Sequence, residues 1–236
     1  MDPARRAAQR VSRVRAAVLA LALAAGALPI ATASPASARG PAQVRAIDLL
    51  GFVVVEREHR GGYQRDLFAY PQPMGGGCDT RDRVLEQESA VRVRFTSSGC
   101  SVARGSWVSV YDGLAYTSPA GLEIDHVVAL KEAWDSGAWA WSSAARRAFA
   151  NDLTDSRTLQ AVSSSSNRKK GDKDPSNWLP PSASDVCSFI GDWVTIKVRW
   201  RLSMDQSEFG RIRNLLRGQC SGWRVAAFAR TPVQVP

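Results

Sequence analysis

Gly121-Leu122-Glu123-Ile124-Asp125-His126-Val127-Val128-Ala129-Leu130 is the stretch on which the rest of the chain turns. A carboxylate stands directly before an imidazole within an apolar run, a pairing in which one member can hold a divalent metal while the other activates water. Adjacent strand residues point to opposite faces. For Asp125 and His126 to aim at one phosphate, the strand must therefore end at Ile124 and open into a loop through Leu130. Taken alone, the pair is also what a strand-end salt bridge looks like. The other histidine, His59, lies between Glu58 and Arg60 and reads as a surface residue.

Downstream, Ser163-Ser164-Ser165-Ser166-Asn167-Arg168-Lys169-Lys170-Gly171-Asp172 offers a second oxygen ligand in a basic setting. Mg²⁺ takes few protein ligands and leaves the other positions to water and phosphate. Asp125 and the side-chain oxygen of Asn167 form a minimal set for it, with Mn²⁺ the other candidate, and His126 is then free to act as base. Arg168, Lys169, Lys170 and Lys173 read as phosphate contacts or as a solvated basic face.

The N-terminus carries Arg5, Arg6, Arg10, Arg13 and Arg15, then an apolar run from Ala16 to Ala27 and the small-residue site Ala36-Ser37-Ala38. This predicts a secretory leader over residues 1–38 and a secreted protein, with a rival cut after Ala31-Thr32-Ala33. The run is shorter than the ~20 residues of a membrane span, so no membrane association is expected after cleavage. The leader holds five arginines and one aspartate, so the remaining 198 residues keep +5 of the chain's +9. That moderate excess favours a polyanionic partner.

Cys78, Cys100, Cys187 and Cys220 suit disulfides in an oxidising compartment, and the lack of any C-x-x-C argues against zinc. Three pairings are open. Locality favours Cys78 with Cys100 and Cys187 with Cys220, each bridge stabilising by roughly 3 to 4 kcal/mol on the loop-closure model.

Around these features, apolar spacing predicts a short helix over Ala42 to Phe52, and strands of a small antiparallel sheet over Ala90 to Phe95 and Ser106 to Tyr111, with a turn at Asp112-Gly113. Ser142-Ser143 caps a helix through Phe149, and Ser165 or Ser166 caps another near Asn167. Two helical stripes follow, one from Val186 to Trp200 and one from Phe209 to Leu216. Trp178, Trp193 and Trp200 read as packing residues.

Between Gly62 and Cys220 the chain resembles the HNH, or His-Me finger, endonucleases, and within them secreted proteins related to the C-terminal domain of GmrSD-type restriction enzymes. The resemblance is carried by Gly77-Cys78-Asp79-Thr80-Arg81, Glu123 to Leu130, Phe149-Ala150-Asn151-Asp152, Asn167 to Asp172 and Trp178-Leu179-Pro180-Pro181. It implies an α+β fold with a ββα-metal core, an N-terminal small antiparallel sheet and flanking C-terminal helices. Residues 39–221 form the nuclease domain and 222–236 a tail. It assigns His126 as general base and Asp125 and Asn167 as metal ligands. The family's middle position, often an asparagine that orients the histidine, falls on Thr158, a departure, with Asn151 the alternative. Asp79 and Arg81 shape the site through the Cys78 bridge or form a structural pair.

The expected protein is a secreted, monomeric, metal-dependent DNA endonuclease with little sequence selectivity. An RNase or toxin-like nuclease, and a catalytically impaired nucleic-acid-binding module, are the competing readings. An inhibitor partner is left open.

Overall fold

A computed structural model describes residues 42–229 and Thr231; the expected leader lies outside the described residues. The first half contains β1 (Gln43–Arg45), α1 (Ala46–Leu49), β2 (Pro73–Gly75), β3 (Cys78–Asp79), α2 (Thr80–Glu88), β4 (Arg94–Phe95), β5 (Val102–Arg104), β6 (Trp107–Val108) and β7 (Ala115–Tyr116). Then come β8 (Leu122–His126), α3 (Leu130–Asp135), α4 (Ser143–Ala150), β9 (Leu159–Ser163), α5 (Ser164–Lys170), α6 (Val186–Trp200), α7 (Gln206–Arg217) and β10 (Arg224–Ala226). The class is α+β, with the described strands joined as two-stranded pairs.

The pair that positions the site is β8 with β9, antiparallel from Leu122↔Ser163 to His126↔Leu159. Its two faces serve two cores. Leu122 and Ala161 join Leu85, Val93, Val102 and Trp107 beneath α2, with Ile124 packed against them. Val162, on the opposite face, belongs to the larger core with Phe149, Trp193 and Trp200. Alternation along one hairpin thus makes it the shared wall between two apolar layers.

Pairing does not stop at Ile124 as predicted. It runs through His126, and Val127 N–H still donates to Thr158 O at 3.1 Å. The predicted sheet before β8 is instead two separate pairs, β4–β5 and β6–β7. Their strands are two or three residues long, and the β4–β5 ladder shifts register at Arg94/Phe95. Such short ladders leave no continuous edge to extend.

Ser142 caps α4, accepting from Ala145 N–H at 3.1 Å. The cap of α5 is Ser163, the last residue of β9, rather than Ser165 or Ser166, so strand passes into helix without a loop. Helix α6 buries residues on nearly every face, its buried polar members Thr195, Lys197 and Arg199 included. Lys197 in its last turn bonds Glu132 of α3 at 2.5 Å and Glu208 of α7 at 3.3 Å, a buried ionic junction of three helices. Cys187–Cys220 joins α6 to the segment after α7, and Cys78–Cys100 closes the loop across α2; both pairings agree with the sequence expectation. Residues 224–226 of the expected tail pair with β1.

Burial on α6 pushes the Asp192 carboxyl up to about 7, although Gln160 donates to it and Arg157 opposes the shift. In the folded chain this group keeps its proton until near pH 7, whereas its ordinary value is 3.8. Its contribution to stability is therefore full below the ordinary value and is lost as pH rises through about 7. Glu88, lifted to about 7 by burial, acts in the same direction. The Asp192→Asn variant is expected to lose less stability between pH 5 and pH 8 than wild type, as read by denaturant midpoints. Equal losses would show that Asp192 is not a buried acid.

Candidate active site

The β8 register holds through His126, so Asp125 and His126 leave a paired strand rather than the loop that the sequence suggested, and their side chains reach the large core at Tyr111 and at Phe149.

His126 looks into an aromatic corner. The Tyr70 ring meets it edge-on, with centroids 4.6 Å apart, and the Phe149 ring lies nearly parallel at 6.3 Å. Its Nε2 is 2.9 Å from Ala150 O. A carbonyl can only accept, so Nε2 carries the proton and Nδ1 is left with its lone pair. Burial lowers the imidazole to about 3, and the Arg65 and Lys170 charges push the same way. The ring is neutral at physiological pH, the form a base requires.

The expected orienting residue does something else. Thr158 Oγ1 donates to Asp152 Oδ2 at 3.1 Å, and its carbonyl secures Val127. The contact that fixes the His126 tautomer comes from the Ala150 backbone, which no side-chain pattern reveals. Asn151, the alternative, binds Ala69 O, Gln72 N, Thr80 Oγ1 and Arg147 O. It thereby clamps the segment carrying Tyr70 against the end of α4.

β8 and α5 are joined by two rungs. In the inner one, Asp125 Oδ1 accepts from Lys170 Nζ at 2.9 Å and Oδ2 from Tyr111 Oη at 2.5 Å. Lys170 Nζ also donates to His126 O at 3.0 Å. The Lys170 side chain is 0% exposed, so it cannot meet a phosphate in solvent as predicted; it is enclosed with the carboxylate 45 residues before it. Burial raises the Asp125 carboxyl despite the Lys170 charge, and burial beside Asp125 keeps Tyr111 protonated as the donor.

In the outer rung, Asn167 Nδ2 donates to Glu123 Oε2 at 2.8 Å, and Arg168 holds Oε1 at 2.8 Å and 3.0 Å. Burial alone would raise Glu123; the Asn167 and Arg168 hydrogen bonds overcome it and hold the carboxyl below its usual range. Glu123 was not singled out from the sequence. Alternation from Asp125 was the available signal, since residues two apart share a strand face.

Arg168, Lys169 and Lys173 are exposed, and Lys173 Nζ turns back to Lys169 O at 2.8 Å. Asp79 and Arg81 do not pair with each other. Asp79 forms the capping box of α2 with Asp82, and Arg81 Nη2 holds Leu122 O at 3.0 Å and Pro119 O at 3.2 Å, fixing the start of β8.

A further acidic group, Glu58, Glu132 and Asp174, brings carboxylate oxygens within 4.8 Å of one another. Two of its members already have cationic partners, Arg60 on Glu58 and Lys197 on Glu132.

The family model described as GmrSD restriction endonucleases, C-terminal domain, matches residues 81–209. The chain belongs to this family. An uncharacterized secreted protein of Arthroderma benhamiae is 36% identical over 168 residues, which is 71% of this chain and 81% of that protein. No solved structure matches. The GmrSD C-terminal match contains both rungs and His126, and stops short of β1, Cys78, Asp79 and β10. The relative's name agrees with the location read from the N-terminal segment: this GmrSD-family chain is a secreted protein. Among the described residues no helix is long and apolar enough to cross a membrane.

Proposed function

We propose that the chain is an exported metal-dependent endonuclease, DNA its favoured substrate, whose β8–β9–α5 unit is the ββα core of an HNH (His-Me finger) site. The observation that carries this is the state of His126: neutral, with Nε2 committed to Ala150 O and no partner on Nδ1 among the described residues, on the strand that packs against the helix bearing Asn167.

His126 Nδ1 takes a proton from a water molecule as its oxygen attacks phosphorus. The phosphorus–O3′ bond breaks, and the departing oxygen gains a proton from solvent, leaving a 5′-phosphate and a 3′-hydroxyl. Tyr70 and Phe149 hold the imidazole plane, and Lys170 holds the strand end through His126 O. Arg168 and Lys169 at the exposed end of α5 attract flanking phosphates without reading sequence. The residues present suit a hard cation, since Asn167 and the carboxylates of β8 offer oxygen donors of the kind Mg²⁺ and Mn²⁺ prefer. When bound, such an ion would supply an electrophilic clamp on the phosphate and help to the leaving oxygen.

The impaired binding module loses its main support, because the departure at Thr158 is answered by the Ala150 carbonyl. The oxidised protein is expected to nick supercoiled plasmid with Mg²⁺ or Mn²⁺, to stop on addition of EDTA, and to leave labelled RNA largely intact. Cutting in excess chelator would refute the metal requirement. Inertness toward both nucleic acids would refute the enzyme.

A further inference from the structure

We propose that Tyr70 is a further catalytic residue, its hydroxyl donating to a non-bridging oxygen of the scissile phosphate beside His126; the assignment rests on the nuclease reading above. Tyr70 lies upstream of the matched residues 81–209, so the family match does not reach it.

Two tyrosines meet the end of β8, and their hydroxyls differ in what they already hold. Tyr111 is 0% exposed and donates to Asp125 Oδ2, so its hydroxyl is engaged inside the protein. Tyr70 is half-buried, its ring 4.6 Å from the imidazole at 75°, and among the described residues no hydrogen bond reaches its hydroxyl. A phenol set against the proposed base with its O–H uncommitted is a donor that lacks an acceptor. Burial holds this phenol well above its ordinary range, so it keeps its proton wherever the imidazole is neutral.

The surroundings select an anion as the acceptor. The charges that act on the phenol are those of Arg81, Asp79, Arg65 and Asp125. Both carboxylates are already answered, Asp125 by Lys170 and Asp79 by the backbone N–H of Asp82 at the start of α2. Arg81 meets backbone carbonyls and Arg65 is exposed; among the described residues neither forms a salt bridge. Guanidinium groups without counter-ions beside a free O–H suit a phosphate. Asn151 holds the backbone on both sides of the ring, donating to Ala69 O at 3.1 Å and accepting from Gln72 N–H at 2.9 Å. Ala69 itself takes φ +48°, in the left-handed region that favours glycine. A costly conformation clamped at both ends fixes where the phenol stands, as a donor aimed at charge developing on phosphorus oxygens requires.

Tyr70→Phe keeps the ring against His126 and removes only the hydroxyl. Single-turnover cleavage of DNA by the full oxidised chain with Mg²⁺ should fall ~10²-fold, with DNA affinity within about twofold of wild type and an unchanged melting temperature. DNA carrying sulfur, a poorer acceptor, in place of one non-bridging oxygen at every linkage supplies the second arm. One of its two stereochemical forms should slow wild type more than it slows Tyr70→Phe, because the variant has no hydrogen bond there to weaken. Cleavage by Tyr70→Phe within about threefold of wild type, a loss that tracks earlier melting, or equal slowing of the two proteins by both sulfur forms would each overturn the proposal. A wild-type chain inert toward nucleic acid would sink the nuclease reading and the proposal with it; a wild-type chain that cuts beside an equally active Tyr70→Phe sinks the proposal alone.

Discussion

Replacing His126 with alanine lowers plasmid cleavage by ~10²-fold or more while the chain stays folded. The loss follows from the tautomer, because Ala150 O commits Nε2 and leaves Nδ1 as the atom free to accept a proton. The neighbouring aromatic rings belong to Tyr70 and Phe149, so their contacts survive the truncation apart from those to the imidazole itself. Single-turnover cleavage, beside circular dichroism melting and DNA binding by anisotropy, separates chemistry from folding. Turnover within about threefold of wild type, with folding and binding retained, would remove His126 from the chemistry.

The second large effect is on stability. Lys170→Ala leaves Asp125 enclosed without its counter-charge and removes the bond to His126 O, which should cost ~3–5 kcal/mol in denaturant unfolding. Replacing both charges at once, Asp125→Asn with Lys170→Met, should recover most of that loss, because no unpaired ion remains. If Lys170→Ala is as stable as wild type, the lysine is a surface residue after all, and the phosphate role read from the sequence returns to it.

Where local pattern decided structure, the sequence was readable. The stripes over Val186–Trp200 and Phe209–Leu216 became α6 and α7, Ser142 capped α4, and both disulfides joined cysteines from one local segment. Where a distant partner decided, it was not. Ala42 to Phe52 looked like one helix, yet Gln43–Arg45 is a strand because its partner is Arg224–Ala226. Lys170 sits in a basic run that looks solvated; its burial depends on Asp125 and Tyr111, supplied by other segments. The individual residues of the candidate site were mostly visible, but not which way they face. A loop was expected after Ile124, and pairing with Leu159 carries the strand through His126 instead. The carbonyl of Ala150 bears no mark in a sequence at all.

The pairing of β1 with β10 has an outcome for how the polypeptide matures. Arg224 reaches Gln43 O across 181 residues, and the ladder aligns Gln43 with Ala226 and Arg45 with Arg224. A ribosome makes Gln43–Arg45 first, and that strand must wait for nearly the whole remaining chain before it can find its place. Closing so long a loop comes at an entropic cost that favours late formation. During synthesis the leading end is therefore left unpaired and threadable, the condition a translocation pore requires, and the last strand to emerge locks the first.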